Sequence, residues 1–171
     1  MKRFAQNEFK PYFGVYIEPA IARNLDIIPL LELNTKETLD FFKKIPAGKE
    51  LYAYEENKWT IREILLHLID TERIFSYRAL RIARNDKTNL PGFDENNFAK
   101  NSKANIRTLK ALLEEFKAVR SATLALFKSF QDDDWTKTGM ASNNEISVRA
   151  IGYILAGHVI HHTRVIKERY L

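Results

Sequence analysis

The chain has 171 residues, 45% of them hydrophobic and 29% charged, which suits one domain with a substantial core. It contains no cysteine, so disulfides, thiolate ligands and a cysteine nucleophile are excluded. The net charge of +5 comes from Lys and Arg interleaved with Asp and Glu, the pattern of a solvated surface rather than a nucleic-acid stripe.

The opening "MKRFAQNEFKPYFG" lacks the unbroken apolar core of a secretory signal. No apolar run approaches the roughly 20 residues of a membrane helix. The expectation is a cytoplasmic protein with neither a membrane nor a nucleic-acid partner.

Strand signals are poor and helical spacing is frequent. Asp26 and Pro29 open a first helix to about Ile45, with Leu30, Leu31, Leu39 and Phe42 on its buried side. Pro46 and Gly48 then break the pattern. "TIRE" sets Thr60 three residues before Glu63, the reciprocal capping arrangement, and starts a second helix reaching about Arg84. "NDKTNLPGFDENNFAKN" is too long for a tight helical hairpin and reads as a crossover. A third helix is expected from about Asn105 to Phe130, and Ser147 caps a fourth that runs to the C-terminal end. The intervening "TGMASNNEIS" reads as a plain connector. Four amphipathic helices predict an all-α fold, a four-helix bundle with a long crossover between helices two and three, as one domain over residues 1–171.

Three of the four histidines fall in the last helix, in "LAGHVIHHTRV". With Ile151 at zero and 100° per residue, His158 lies at about −20°, His162 at about +20° and His161 at about −80°. His158 and His162 therefore share the centre of the core stripe, one turn apart, and His161 lies at its edge. His67, on the second helix beside Ile64 and Leu68, is the candidate third imidazole. Unsatisfied buried polar groups cost about 1–3 kcal/mol each, so these rings need partners. A divalent metal such as zinc or nickel held by three neutral imidazoles, with a position left for water or substrate, is one answer. Rings each bonded to a backbone carbonyl or a carboxylate are the other.

Asp70, three residues after His67, is a candidate to orient a ring. Glu72 and Asp94 are further candidate catalytic bases, set against helix-face ion pairs with Arg73 or Arg78 and an Asx turn after Gly92. Arg78, Arg81 and Arg84 read as a solvated face paired with acidic residues. Trp59 and Trp135 read as aromatic packing at a bundle end.

The motifs "KWTIREILLHLIDTERIFSYRALRIARND", "LPGFDEN", "LLEEFKAVRSATLALF" and "ISVRAIGYILAGHVIHHTRVIKERYL" together resemble the DinB/YfiT superfamily of metal-binding four-helix bundles. One His on helix two followed by H-x-x-x-H on helix four is that family's order. The resemblance implies an up-up-down-down-like bundle, often dimeric, in which His67, His158 and His162 hold a divalent metal. It also implies either a thiol transferase, using a low-molecular-weight thiol such as bacillithiol or mycothiol, or a metal-dependent hydrolase of small molecules. A homodimer with a small-molecule substrate is the implied assembly. A non-catalytic metal-binding or stress-responsive protein is the alternative. The lack of Cys fits a thiol brought from outside, and fits hydrolysis equally.

Overall fold

The computed structural model describes residues 4–5 and 8–171. Part of the opening segment read above for a leader lies outside the described residues. The helices are α1 (Gly14–Ile21), α2 (Ile27–Phe42), α3 (Ile61–Ala83), α4 (Glu95–Asn101), α5 (Leu109–Lys128) and α6 (Val148–Arg169). A hairpin of β1 (Thr138–Ala141) and β2 (Asn144–Ser147) precedes α6.

The four long helices α2, α3, α5 and α6 form the bundle. Each of α2 and α3 packs against both α5 and α6, and α1 lies along α6. Among the described residues no helix is long and apolar enough to cross a membrane.

Helix starts follow local chemistry. Thr60 Oγ1 accepts from Glu63 N at 3.1 Å while Thr60 N donates to Glu63 Oε2 at 2.8 Å, completing the capping box of α3. Ser147 Oγ accepts from Ala150 N at 3.1 Å and starts α6. The expected start of the third helix at Asn105 is corrected to Leu109. Ala104–Ile106 form a 3-10 turn, and Thr108 takes the cap by accepting from Ala111 N. The first helix ends at Phe42, three residues before the expected Ile45, because Lys43 to Ile45 already turn.

Three elements differ from expectation more substantially: α1, where no helix was expected before Asp26, the crossover and the connector before α6. The crossover contains α4, capped by Asp94 Oδ1, which accepts from Asn96 N and Asn97 N at 3.0 Å each. The expected connector "TGMASNNEIS" is the β1–β2 hairpin. Its turn uses Ser142 and Asn143, both with positive φ (52° and 60°), the twist that matches a tight hairpin. Leu90 of the crossover bonds to the same hairpin, donating to Met140 O and accepting from Ser142 N at 2.9 Å each. Neither strand exceeds four residues, too short for a visible alternation.

The core divides into two apolar clusters. One gathers Leu31, Phe75, Ile82, Phe127 and Ile151; the other gathers Phe42, Ile64, Leu68, Leu112, Phe116 and Ile166. Along the helices, Asn34 falls between the two sets on α2, Thr71 and Glu72 on α3, Arg120 on α5 and His158 on α6. A polar layer thus crosses the bundle between two greasy halves.

Candidate metal centre

The polar layer has two parts. Toward α2 and α5, Arg120 is fully buried and Glu72 is 1% exposed. Arg120 donates from Nε to Glu72 Oε1 at 2.7 Å and from Nη2 to Oε2 at 2.9 Å, a bidentate pair. Its Nη1 reaches Asn34 Oδ1 at 3.1 Å and Leu31 O at 3.2 Å. Glu72 therefore pairs with Arg120, not with Arg73 or Arg78, and takes no place beside the histidines.

Toward α3 and α6 the layer opens into a cavity of 420 Å³. His67, His158 and His162 stand in its lining with the aromatic rings of Tyr12, Phe13, Tyr16, Trp59, Phe75 and Phe93. His67 Nε2 and His162 Nε2 each lie 3.0 Å from His158 Nε2. One ligand atom from each of the three residues falls within 4.8 Å of the others. The ring planes are steeply inclined, at 74°, 72° and 88° between pairs.

A single ring nitrogen carries either one proton or one lone pair. His158 Nε2 therefore cannot make good hydrogen bonds to both neighbours at once. Burial holds the rings in the neutral form: it pushes His67 down to about 4 and His162 down to about 3, and lowers His158 well below the usual imidazole range. Proximity of the other imidazoles adds to the shift at His158 and His162. Three neutral nitrogens with convergent lone pairs are the donor set of a divalent cation. Tetrahedral ligands at 2.0–2.1 Å sit about 3.3 Å apart, close to the 3.0 Å that separates His158 Nε2 from each of its two neighbours. The residues present fit such an ion.

His161 is not one of the three converging residues, as its helical phase implies, although its ring meets that of His162 edge-on at 5.1 Å. It is half-buried, its Nδ1 lacks a partner, and its ring meets Tyr16 edge-on at 5.4 Å.

Several neighbours place the rings. Trp59 packs on His67 at 4.7 Å and lies nearly parallel to His162 at 6.5 Å. Its backbone carbonyl accepts from the buried Tyr170 hydroxyl at 2.7 Å, tying the end of α6 to the start of α3. Trp59 is thus a wall of the cavity, whereas Trp135 packs on Phe127 and Phe130 away from it. Tyr16 meets His158 edge-on at 5.2 Å because α1 runs hard against α6 at Gly157. A Cβ at Gly157 would come within 1.8 Å of Tyr16 O, so only glycine admits this approach.

Among the expected bases, Asp70 pairs with Arg73 at 3.6 Å and makes no hydrogen bond to His67. Asp94 caps α4. None of Asp70, Glu72 and Asp94 lines the cavity; Glu95 is the carboxylate that does, among the described residues. The arginine series also divides. Arg81 pairs with Asp86 on the surface and Arg84 is exposed, but Arg78 is 4% exposed and lines the cavity. Reading all three as one solvated face is corrected for Arg78: its ring-facing position on α3 was hidden in a run of look-alike charges. Thr71, Tyr12, Tyr16, Glu95 and Ser142 carried no motif that singles them out.

The DinB superfamily matches residues 30–166 of the chain. Among solved structures, YfiT from Bacillus subtilis superposes with a TM-score of 0.73 at 17% identity, over 94% of this chain and 91% of that one. That protein is described as "a probable metal-dependent hydrolase with an unusual four-helix bundle topology". At this identity the likeness establishes the fold. No curated protein matches the chain.

Proposed function

Since the chain belongs to the DinB superfamily, we propose that it is a metal-dependent enzyme acting on a small molecule, with His67, His158 and His162 as the metal ligands. The observation that carries this reading is the convergence of three neutral imidazoles on one point in the wall of a cavity. A bound zinc or nickel ion would supply Lewis acidity there, activating water or an external thiol and polarising a carbonyl.

The chain's own residues prepare the site. Burial keeps the imidazoles unprotonated, so ligand lone pairs are available across the neutral range. Trp59 and Tyr16 pack against the His67 and His158 rings and hold their planes. Tyr16, whose phenol is raised by burial and then by the Glu95 charge, stays a hydroxyl that can donate to substrate oxygen. Glu95 is the carboxylate within the cavity that can take a proton from an attacking group.

Hydrolysis is the favoured reaction, since the YfiT description names that class. Thiol transfer uses the same site with a different nucleophile, which the chain, lacking Cys, cannot itself provide.

The test begins with metal content of protein purified without a His tag. A panel of esters, amides and electrophiles is then assayed with and without added bacillithiol, mycothiol and glutathione. Turnover in water alone supports hydrolysis, and turnover only with thiol supports transfer. Metal-loaded protein inert throughout would return the site to a non-catalytic, metal-binding role. A homodimer in the cytoplasm is proposed alongside, and light scattering tests the dimer.

A further inference from the structure

Arg78, one of two buried arginines among the described residues, stands in the cavity wall with no carboxylate partner among them. Its Nη2 donates to Pro91 O at 2.8 Å and to Ser142 Oγ at 3.0 Å, and its guanidinium lies 4.8 Å from the centre of the Phe75 ring. Those acceptors are neutral, and Nη1 and Nε make no hydrogen bond among the described residues. Glu95 shares the lining but forms no ion pair with Arg78 among the described residues. A guanidinium cannot discharge itself by losing a proton. Burying it unpaired is costly, and Arg120, the other buried arginine among the described residues, is paired with Glu72.

A second unmet group lies on the same stripe. Thr71 is 5% exposed, lines the cavity, and its Oγ1 has no hydrogen-bond partner. At 100° per residue, Thr71 and Arg78 fall within about 40° and 20° of His67 on α3. Metal-binding imidazole, hydroxyl and guanidinium therefore follow one another along a single wall.

We infer that this wall is an anion subsite: Arg78 receives the terminal carboxylate or phosphate of a ligand whose apolar or aromatic body lies among the cavity's rings. The inference deepens the function proposed above and rests on it for the reacting end of the ligand, at the histidines. Nη2, which belongs to both two-donor edges of the guanidinium, is taken by Pro91 O and Ser142 Oγ, so Arg78 offers an oxyanion its positive charge and one free donor, Nη1 or Nε; Thr71 offers its hydroxyl to a polar atom between the two ends. Eleven residues at a 1.5 Å rise set the Cα atoms of His67 and Arg78 about 16 Å apart. The ligand is accordingly extended, with its anion several bonds from the reacting atom.

Calorimetric titration of the full-length, tag-free protein with 4-phenylbutyrate, phenyl phosphate and uncharged 4-phenylbutanamide tests this, in metal-free and metal-loaded forms. We expect at least one anion to bind roughly 10- to 100-fold tighter than the amide in both forms. Arg78→Gln, which removes the charge and keeps a polar amide, should abolish that preference while amide affinity stays within about threefold. Phenylbutyrate favoured over phenyl phosphate assigns a carboxylate end, and the reverse a phosphate end.

A preference that survives Arg78→Gln, or one absent from the native protein, overturns the inference. A preference lost on metal removal but kept in Arg78→Gln overturns it too, assigning the anion to the metal. Should Arg78→Gln not fold, the arginine Nε–H resonance of the native protein decides: it shifts with the anion and not with the amide, or the inference fails. Anion preference without turnover on any substrate keeps the subsite and sinks the enzymatic reading, so the two fail separately.

Discussion

The two halves of the polar layer use the same kinds of side chain to opposite ends. Between α2, α3 and α5, every charge meets a counter-charge: Glu72 and Arg120 close on each other, with Asn34 and Leu31 O taking the remaining guanidinium donor. Between α3 and α6, the rings of His67, His158 and His162 crowd nitrogen against nitrogen, Arg78 lacks a carboxylate and Thr71 lacks any partner. Saturated polar groups lock a bundle into one packing, while groups left wanting are available to something from outside. The half that stabilises is the half with nothing left to bind.

Removing a partner from the saturated half should produce the largest effect. Glu72→Ala leaves the Arg120 guanidinium buried and unpaired, and a loss of about 3–5 kcal/mol is expected in urea unfolding. A loss below about 1 kcal/mol would show that water reaches Arg120 and that the contrast is overdrawn.

Filling the unsaturated half should stabilise it. A divalent ion at 100 times its Kd should raise the unfolding free energy by about 2.7 kcal/mol, read as a rise in Tm. His158→Ala, His67→Ala or His162→Ala should remove that rise, and His161→Ala should keep it. Equal loss from all four would place His161 among the ligands.

Acid should separate the halves next. Burial sets the folded pKa of His67 at about 4 and of His162 at about 3, below the ordinary value of 6.5. The unfolded chain then binds more protons than the folded one between pH 6.5 and 4. Metal-free protein should therefore hold its full stability above pH 6.5 and lose up to about 1.4 kcal/mol per histidine per pH unit below it. Replacing His67 by Gln should reduce the slope of stability against pH over that window; an unchanged slope would assign it to other groups.

The smallest effect is expected where a partner is already missing. Thr71→Val removes an unsatisfied hydroxyl at constant shape, so stability should stay within about 1 kcal/mol or rise. Asn34→Ala, on the saturated side, should cost about 1–3 kcal/mol. Equal losses at the two positions would mean that Thr71 has a partner in solution.

Much of this was legible in one dimension. The caps at Thr60 and Ser147, the apolar stripes and the single-turn spacing of His158 and His162 are local properties, carried by backbone hydrogen bonding and a repeat of 3.6 residues. They determined four long helices, a crossover and which histidines share a face. The hairpin escaped because its strands are four residues long and its turn holds no glycine. Glu72 and Arg78 were assigned the wrong surroundings because a charge run looks the same whether solvent or another helix faces it.

Only the tertiary structure decided that His67, 91 positions before His158, reaches the same point, and that Arg120 rather than Arg78 receives Glu72. Helical phase orients a side chain about its own axis, but the packing of four helices decides what stands opposite, and a charge or a lone pair acquires its role from that neighbour.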